Sequence, residues 1–319
     1  RDRGPGRAFN AANVDRFGLS ALNTATEANV EDCTVDEQIS AGYLMGTWRS
    51  GALTVIGGVR IEHTENDVSA NRTEVLEEGA ELNGEILEDD TVLITPTADD
   101  NSYTNVLPSL NVRFDARDDL VLRAGFFSSV VRPGPEQLAP IFAIEESNDG
   151  DREGEFGNPG LDPYEAINFD GSIEWYFDEA SVLSAGVFYK EIDNFIFNTQ
   201  FEEDDPPFNG VYNGVAFTEA VIPQNGDQAQ ILGFEVNYQQ ILSFLPAPFD
   251  GVLVGLNYTY TDAEGDTGTR DIDLPAASEN TYNALLGYES DRLSIRLTAA
   301  YRDEYLDELG GDPAEDRYV

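Results

Sequence analysis

Charged side chains recur at alternate positions in several half-apolar stretches of this chain. Successive side chains of a β-strand point to opposite faces, so strands would bring these charges to one wall. Charges of both signs on one wall could form ion pairs with a polar partner. The alternative is a sheet surface that only faces solvent. The residues are Arg60, Glu62, Arg113, Asp115, Arg123, Asp170, Glu174, Lys190, Glu235, Arg296 and Arg302.

The sequence contains few of the residues on which catalytic and metal sites depend, with one histidine and one cysteine. The only histidine, His63, has the same parity as Val59 and Ile61, which predicts an interfacial residue on the apolar side and not a base beside a nucleophile. A single histidine and a single cysteine, Cys33, exclude the usual zinc ligand sets and an internal disulfide. We therefore expect no enzyme, no catalytic residue and no cofactor.

Aromatic residues stand beside Asn, Asp and Glu in the polar connections. Aromatic faces flanked by polar groups suit sugar rings and also suit siderophores, so these residues are candidates for capturing a small-molecule ligand. The alternative is that the rings only pack the connections together. The residues are Phe142, Phe156, Phe197, Phe201, Phe208, Tyr212, Phe217 and Tyr305.

The chain is strongly acidic, with a formal net charge of −43. This charge excludes nucleic acid as a partner, because Lys and Arg are the residues that displace phosphate counterions. Carboxylates concentrate in residues 74–90 and 202–205, which predicts solvated loops or, alternatively, binding of divalent cations. Residues 148–155 and 262–273 also carry closely spaced oxygen ligands, but neither follows the EF-hand order. Calcium at these acidic loops is an open expectation.

Period-two alternation predicts ten β-strands that position the charged residues. Ile167, Phe169, Gly171, Ile173, Trp175 and Phe177, for example, alternate with polar neighbours. The connections alternate between short turns and long polar segments. Short turns are predicted near residues 50–51, 117–118, 178–180, 243–250 and 290–291, and long connections at 66–102, 132–164, 197–226, 264–276 and from 306 onward.

A transmembrane β-barrel explains this asymmetry better than a soluble sandwich does. Short turns at one rim and long loops at the other are typical of outer-membrane barrels. The apolar parity runs for about 9–11 residues, the length of a tilted membrane-crossing strand. Aromatic residues gather toward strand ends, where an interfacial belt would lie. No apolar run approaches the roughly 18 residues that a transmembrane helix needs.

Several segments resemble the barrel of TonB-dependent outer-membrane receptors, in particular those of Caulobacter- and Xanthomonas-like bacteria. They are NVLPSLNVRFD (105–115), LVLRAGFFSSVVRPGPEQLAP (120–140), GNPGLDPYEAINFD (157–170), LSAGVFYKEIDNFI (183–196), residues 231–265 and YRDEYLDELGGD (301–312). The resemblance implies an all-β, antiparallel transmembrane barrel, of which this chain supplies about ten of 22 strands. Residues 1–38 would be an extracellular loop and residues 39–319 the partial barrel, with the plug domain and the last strands absent.

The resemblance also implies a function. In this family the barrel encloses a plug, and the TonB complex pulls on a segment of that plug. The candidates for plug contact on the lumen wall are then Arg60, Glu62, Arg113, Arg123, Asp170, Glu174, Lys190, Glu235 and Arg296. We expect a receptor in the outer membrane of a Gram-negative bacterium that takes up a scarce nutrient. An oligosaccharide is favoured over a ferric siderophore, since the resembled subgroup leans toward carbohydrates and acidic loops repel strongly anionic chelates.

Two other classes of protein remain open at this point. One is a passive porin or a surface-exposed, adhesin-like barrel that has no plug. The other is a secreted acidic β-sandwich that binds calcium or glycans. Detergent-dependent solubility would separate the sandwich from both barrels, and dependence of uptake on the proton-motive force would separate the receptor from the porin.

Overall fold

The computed structural model describes residues 33–76, 79, 81–82, 84–89, 91–139, 142–146, 152–290, 292–310, 313–314 and 316–319. Most of the predicted extracellular loop of residues 1–38 therefore lies outside the described residues. The described helices are one α-helical turn (Pro135–Leu138) and one 3-10 turn (Phe249–Gly251), and neither is long and apolar enough to cross a membrane.

The described chain is otherwise built from strands and their connections. In chain order these are β1 (Thr34–Ser50), β2 (Leu53–Leu76), β3 (Glu81–Leu82), β4 (Glu85–Ile86), β5 (Thr91–Arg117), β6 (Leu120–Val131), β7 (Phe142–Glu146), β8 (Arg152–Phe156), β9 (Tyr164–Asp178), β10 (Ser181–Asp193), β11 (Ile196–Glu202), β12 (Val211–Tyr212), β13 (Val215–Ala216), β14 (Glu219–Asn225), β15 (Gln228–Ile241), β16 (Val252–Asp266), β17 (Asp271–Asp273), β18 (Asn280–Ser290), β19 (Leu293–Arg302), β20 (Leu306–Glu308) and β21 (Arg317–Tyr318).

Ten of these strands form one antiparallel wall, as the alternation predicts. Each wall strand pairs with the next one along the chain, in the order β1-β2-β5-β6-β9-β10-β15-β16-β18-β19. In the described part of the chain, β1 and β19 each pair with one wall strand only, so the wall is an open part of a barrel. The all-β, antiparallel barrel predicted from the sequence is confirmed in this partial form.

All five predicted short turns lie at one end of the wall. Three of them contain two residues, and the turn between β18 and β19 includes residue 291, which lies outside the described residues. The turn between β15 and β16 spans residues 242–251 and includes the 3-10 turn. Gly51 follows β1 with a φ of +57°, in the left-handed region where glycine pays no steric cost. This backbone matches the twist of the flanking strands, as hairpin turns require.

The wall has two unlike faces, because residues opposite each other in an antiparallel pair share a face. One side, the polar face, carries Thr54, Arg113, Arg123, Ser172 and Gly186 in one cross-strand row. The other side, the apolar face, carries large exposed side chains. These include Leu110, Leu122, Ile173, Val187, Leu232, Leu256, Leu286, Ile295 and Leu297.

The height of the apolar face approaches the apolar band of about 25 Å that outer-membrane barrels present to lipid. On β16 its side chains run from Val252 to Tyr260, and on β19 from Leu293 to Tyr301. At about 3.3 Å per residue and a tilt near 40°, such a run spans roughly 20 Å along the barrel axis. Tyrosines of neighbouring strands meet at its long-connection end, where Tyr258 and Tyr282 stack at 4.7 Å and Tyr282 lies 6.1 Å from Tyr301.

The long connections carry much more strand than the sequence predicts. The ladder between β2 and β5 continues to the pair Leu76–Thr91, so most of residues 66–102 is a protruding hairpin. Four short strands, β7, β8, β14 and β11, form a sheet that starts from β2, and β11 follows directly after β10. We call these four strands and their connections the outer-loop module. The buried apolar clusters of the described chain lie mainly in these connections.

Candidate functional site

The nine predicted lumen residues all lie on the polar face. Arg113 is directly opposite Arg123, Asp170 is opposite Gly125, and Glu235 is opposite Gly186. Arg60, Glu62, Glu174, Lys190 and Arg296 share this face through the same cross-strand register. The polar parity of the sequence therefore places each charge correctly, while contact of these residues with a plug stays a prediction.

Ion pairs within the wall fix the orientation of the two central arginines. The Arg123 guanidinium donates two hydrogen bonds to Glu174, at 2.8 and 3.3 Å, and Tyr176 donates a third to the same carboxylate at 2.9 Å. Arg113 is 2.8 Å from Asp115 on its own strand. These partners let two arginines stand opposite each other, since each guanidinium has a carboxylate oxygen at 2.8 Å.

A second ionic group ties a long connection to the wall. The Glu62 side chain is only 11% exposed and accepts hydrogen bonds from Arg60 and Arg132. Arg132 comes from the connection after β6 and also donates to Thr64 Oγ1 at 3.2 Å, while Glu37 of β1 is 3.8 Å from it. Arg60 and Glu62 thus belong to a buried network whose third main member, Arg132, sequence parity does not reveal.

Two further carboxylates on the polar face remain open. Asp170 and Glu235 lie over Gly125 and Gly186, and together they line a hollow of about 390 Å³. Neither carboxylate has a hydrogen bond or ion pair within the described residues. Lys190 lies one row nearer the long-connection end, opposite Asn168 and Ile231. The wall therefore offers unpaired charges of both signs to a partner.

A row of amides continues the polar face on the other side of Glu235. Asn237, Asn257 and Asn283 are directly opposite one another on β15, β16 and β18. The Asn283 amide donates to Asn257 Oδ1 at 3.3 Å. These asparagines border a hollow of about 410 Å³, together with Gln239 and Thr298. The sequence pattern contains them as polar neighbours of apolar residues but gives no reason to single them out.

The predicted ligand-capturing aromatics are mostly buried, and their contact with a ligand stays a prediction. Phe156, Phe201, Tyr212 and Phe217 form one cluster with half-buried Phe208 packed against it. Phe156 stacks on Tyr212 at 5.7 Å, and Phe208 meets Phe201 and Tyr212 edge-on at 4.9 and 5.0 Å. The alternative that these rings pack the connections together describes them correctly. Burying these large apolar rings against each other is more favourable in free energy than leaving them in contact with water.

The remaining three aromatics have separate surroundings. Phe197 is buried in a second cluster with Phe195, Ile272 and Leu306, which joins the connections after β10, β16 and β19. Tyr305 is half-buried, and the Arg302 guanidinium carbon is 4.1 Å from its ring centre. The Phe142 side chain lies outside the described part of the molecule. Of the eight predicted capture residues, Phe208 and Tyr305 thus keep partly open rings.

An ion pair joins two of the long connections near the second cluster. Arg270 donates to both carboxylate oxygens of Asp316, at 2.8 and 2.7 Å, and to the Gly310 carbonyl at 2.9 Å. The Gly310 amide donates to the same carboxylate at 3.0 Å. The hydrogen bonds from Arg270 hold the pKa of Asp316 below its usual value of 3.8.

We expect this pair to make the connection after β19 sensitive to acid. A carboxyl whose pKa is lowered by folding contributes stability above its unfolded pKa, and the contribution is lost as the pH falls through its folded pKa. The connection should therefore begin to loosen below about pH 3.8. It should lose about 2 kcal/mol once Asp316 is fully protonated, because the hydrogen bonds to a charged carboxylate are then gone. Hydrogen exchange of residues 303–310 at pH 6 and pH 3 measures this change. Asp316→Asn should abolish the difference, and an unchanged difference in that variant would refute the assignment.

His63 and the acidic stretches complete the list of sequence candidates. His63 lies on the apolar face, with Nδ1 2.9 Å from Thr104 Oγ1 and Nε2 3.4 Å from Glu65. Residues 262–273 form the hairpin of β16 and β17, and no group of three or more metal-ligating side chains is found there or elsewhere in the described chain. Residues 147–151, and parts of 74–90, lie outside the described residues.

Solved structures with this fold are receptors and transporters. A ferric enterobactin receptor mutant from Pseudomonas aeruginosa in complex with enterobactin has a TM-score of 0.52 and 18% identity, over 90% of this chain and 45% of that one. The ferric-catecholate import receptor Fiu of E. coli has a TM-score of 0.56 and 16% identity, over 86% and 35%. The ferric citrate transporter FecA has 0.55 and 18%, over 86% and 33%.

The chain spans less than half the length of these structures, and at such identity the likeness concerns the fold alone. No curated protein sequence matches the chain significantly. The family and the structural neighbours are receptors and transporters, not enzymes. A model of the family described as "TonB dependent receptor-like, beta-barrel" matches residues 3–318, and the chain therefore belongs to that family.

Proposed function

We propose that this chain forms part of the wall of an energised uptake receptor in the outer membrane of a Gram-negative bacterium. Receptors of its family bind a small-molecule ligand and interact with TonB. The observation that carries the proposal is the two-faced wall, with an apolar face that suits lipid and a polar face bearing unpaired Asp170 and Glu235. Charged side chains also line passive pores, so the dependence of uptake on the proton-motive force is the test that separates the receptor from a porin.

The polar partner is a plug segment of the whole receptor, through which the TonB complex would act. Asp170 and Glu235 can pair with basic groups of that segment, and Lys190 with an acidic one. Charge-assisted hydrogen bonds of this kind fix register as well as affinity. The Arg123–Glu174 pair presents a neutral, oriented surface beside them.

The proposed ligand is a neutral oligosaccharide, with a ferric chelate as the competing class. The support is electrostatic: the net charge of −43 disfavours anionic chelates by long-range repulsion. Stacking of sugars on loop aromatics no longer supports this choice, since those rings are mostly buried. The titles of the structural neighbours name ferric ligands, but the likeness to them concerns the fold alone.

Uptake by the full-length gene in a deletion strain tests the function. Maltohexaose, cellohexaose, chitohexaose and ferric citrate would be offered in labelled form, with and without an uncoupler. The proposal expects uptake of a sugar that stops when the proton-motive force is dissipated or TonB is removed. Uptake that continues under both conditions would contradict the receptor and favour a passive channel.

If the apolar face contacts lipid, an arginine should cost much more stability at one residue of β16 than at its neighbour. Leu256 is 52% exposed on the apolar face, while Asn257 lies on the polar face. Leu256→Arg should destabilise the inserted receptor by about 2–4 kcal/mol, because a charge near the bilayer midplane loses its hydration. Asn257→Arg should cost less than about 1 kcal/mol. Urea unfolding of the full receptor in lipid vesicles compares the two, and equal losses would argue against a lipid-facing Leu256.

A further inference from the structure

The polar face is divided into two parts that differ in charge. The part formed by β5, β6 and β9 carries Arg113, Asp115, Arg123, Asp170 and Glu174. The part formed by β15, β16, β18 and β19 has a centre without any titratable group. We call this centre the neutral patch, and it consists of Asn237, Gln239, Asn257, Thr259, Asn283 and Thr298.

Charged residues border the neutral patch but do not enter it. Glu235 and Arg302 lie toward the long-connection end, and the exposed Arg296–Glu289 pair lies toward the short turns. Gly255 stands between Gln239 and Leu285, and the Leu285 side chain lies over it beside the hollow of about 410 Å³. The amides and hydroxyls therefore lie in the middle of the wall, with the apolar side chains of Leu285 and Ala300 among them.

Amides and hydroxyls bind a hydroxyl-rich solute weakly enough for it to pass from one site to the next. Each can donate and accept, so it exchanges a hydrogen bond with water for one with a sugar hydroxyl at a net gain of only about 0.5–1.5 kcal/mol. Passage requires several such weak sites in series, whereas one strong site would retain the solute. Ion pairs do the reverse, because charge-assisted hydrogen bonds are stronger and fix their partner in one geometry.

We propose that the neutral patch is the track along which a neutral, hydroxyl-rich solute crosses the lumen, while the charged part of the wall holds the polypeptide that fills it. This proposal rests on the uptake function proposed above and adds the side of the lumen on which passage occurs. The occupant of the hollow is then a chain of hydroxyl groups, for which the amide row of Asn237, Asn257 and Asn283 supplies donors and acceptors in register.

The test removes the amides without changing their size. In the full-length receptor, Asn257→Leu combined with Asn283→Leu deletes the hydrogen-bonded pair at the centre of the patch. We expect energised uptake of the three hexasaccharides to fall at least five-fold, while binding of the same sugars at the cell surface changes less than two-fold. Ser294→Leu, on the polar face of β19 near the short turns and outside the neutral patch, is the control and should leave both unchanged.

Vancomycin sensitivity, which reports passive entry through the barrel, shows whether the neutral patch guides the solute or holds the polypeptide that fills the lumen. Glu174→Gln weakens the charged part of the wall and should raise vancomycin sensitivity, whereas the double leucine variant should not. Unchanged uptake in that variant, or increased vancomycin entry, would overturn the proposal. Uptake of ferric citrate but of no sugar would overturn it as well, and would leave the uptake function standing. Uptake that is unchanged by the uncoupler would instead refute the proposed function of energised uptake.

Discussion

Phe217→Ala is expected to melt the outer-loop module while the ten-stranded wall stays folded. Phe217 is only 3% exposed and belongs to the cluster that joins the connection after β6 to the connection after β10. Truncating a buried phenylalanine costs about 3–5 kcal/mol, from lost burial and from the cavity that remains. The module has a small apolar core of its own, so a loss of this size is a large part of its stability.

Limited proteolysis of the full receptor in detergent measures this effect. The variant should be cut rapidly within residues 197–226, while its wall keeps the mobility shift on heating that folded barrels show on gels. Val211→Ala is the control, because Val211 is 49% exposed in the same module and its truncation should cost less than about 0.5 kcal/mol. Equal protease resistance of the two variants would mean that the cluster does not hold the module together.

The same substitution should weaken ligand binding without touching the ligand. A module that is ordered before binding spares the ligand the entropy of ordering it. In the Phe217→Ala variant this cost returns at the moment of binding, and affinity should fall at least ten-fold. The buried aromatics then matter for capture as the framework of the binding surface, and Phe208 and Tyr305 are the rings that remain partly open to it.

The wall could be predicted from the sequence because one of its faces is uniformly apolar. Along β9, Ile167, Phe169 and Ile173 alternate with Asn168, Asp170 and Ser172, and a shift by one residue would expose every apolar side chain to the lumen. The same alternation predicted correctly that all nine charged residues lie on the polar face. A charge on the apolar face costs several kcal/mol in a bilayer, so parity alone was enough to assign them.

The outer connections could not be predicted in this way, because neither face of their strands is uniformly apolar. Beyond Ile61, β2 buries Glu62, Thr64 and Asn66 and exposes His63 and Glu65. Both faces are polar there, so apolar and polar residues no longer alternate although the ladder with β5 continues. Phe156 and Tyr212 meet across 55 intervening residues, and no local pattern encodes that contact. Sequence reasoning therefore recognised the rings but not what covers them.

Arg132→Met is expected to destabilise the receptor by about 3 kcal/mol, through the charge that it leaves behind. Glu62 is buried beneath the connection after β6, and Arg132 supplies one of its two guanidinium partners. Removing one member of a buried ion pair costs about 3–5 kcal/mol, since the remaining charge keeps its desolvation penalty. Arg60 still pairs with Glu62, which places the expected loss at the lower end.

Two comparison variants distinguish this mechanism from simple loss of packing. Arg113→Met removes an arginine whose pair with Asp115 is about half exposed, and it should cost less than about 1 kcal/mol. Combining Glu62→Gln with Arg132→Met should recover part of the loss, because the buried group is then neutral. Urea unfolding in lipid vesicles gives all three free energies. A double variant less stable than Arg132→Met alone would show that Glu62 contributes packing and not an uncompensated charge. The recovery expected instead would identify Arg132 as the residue that allows a carboxylate to be buried where the long connection meets the wall.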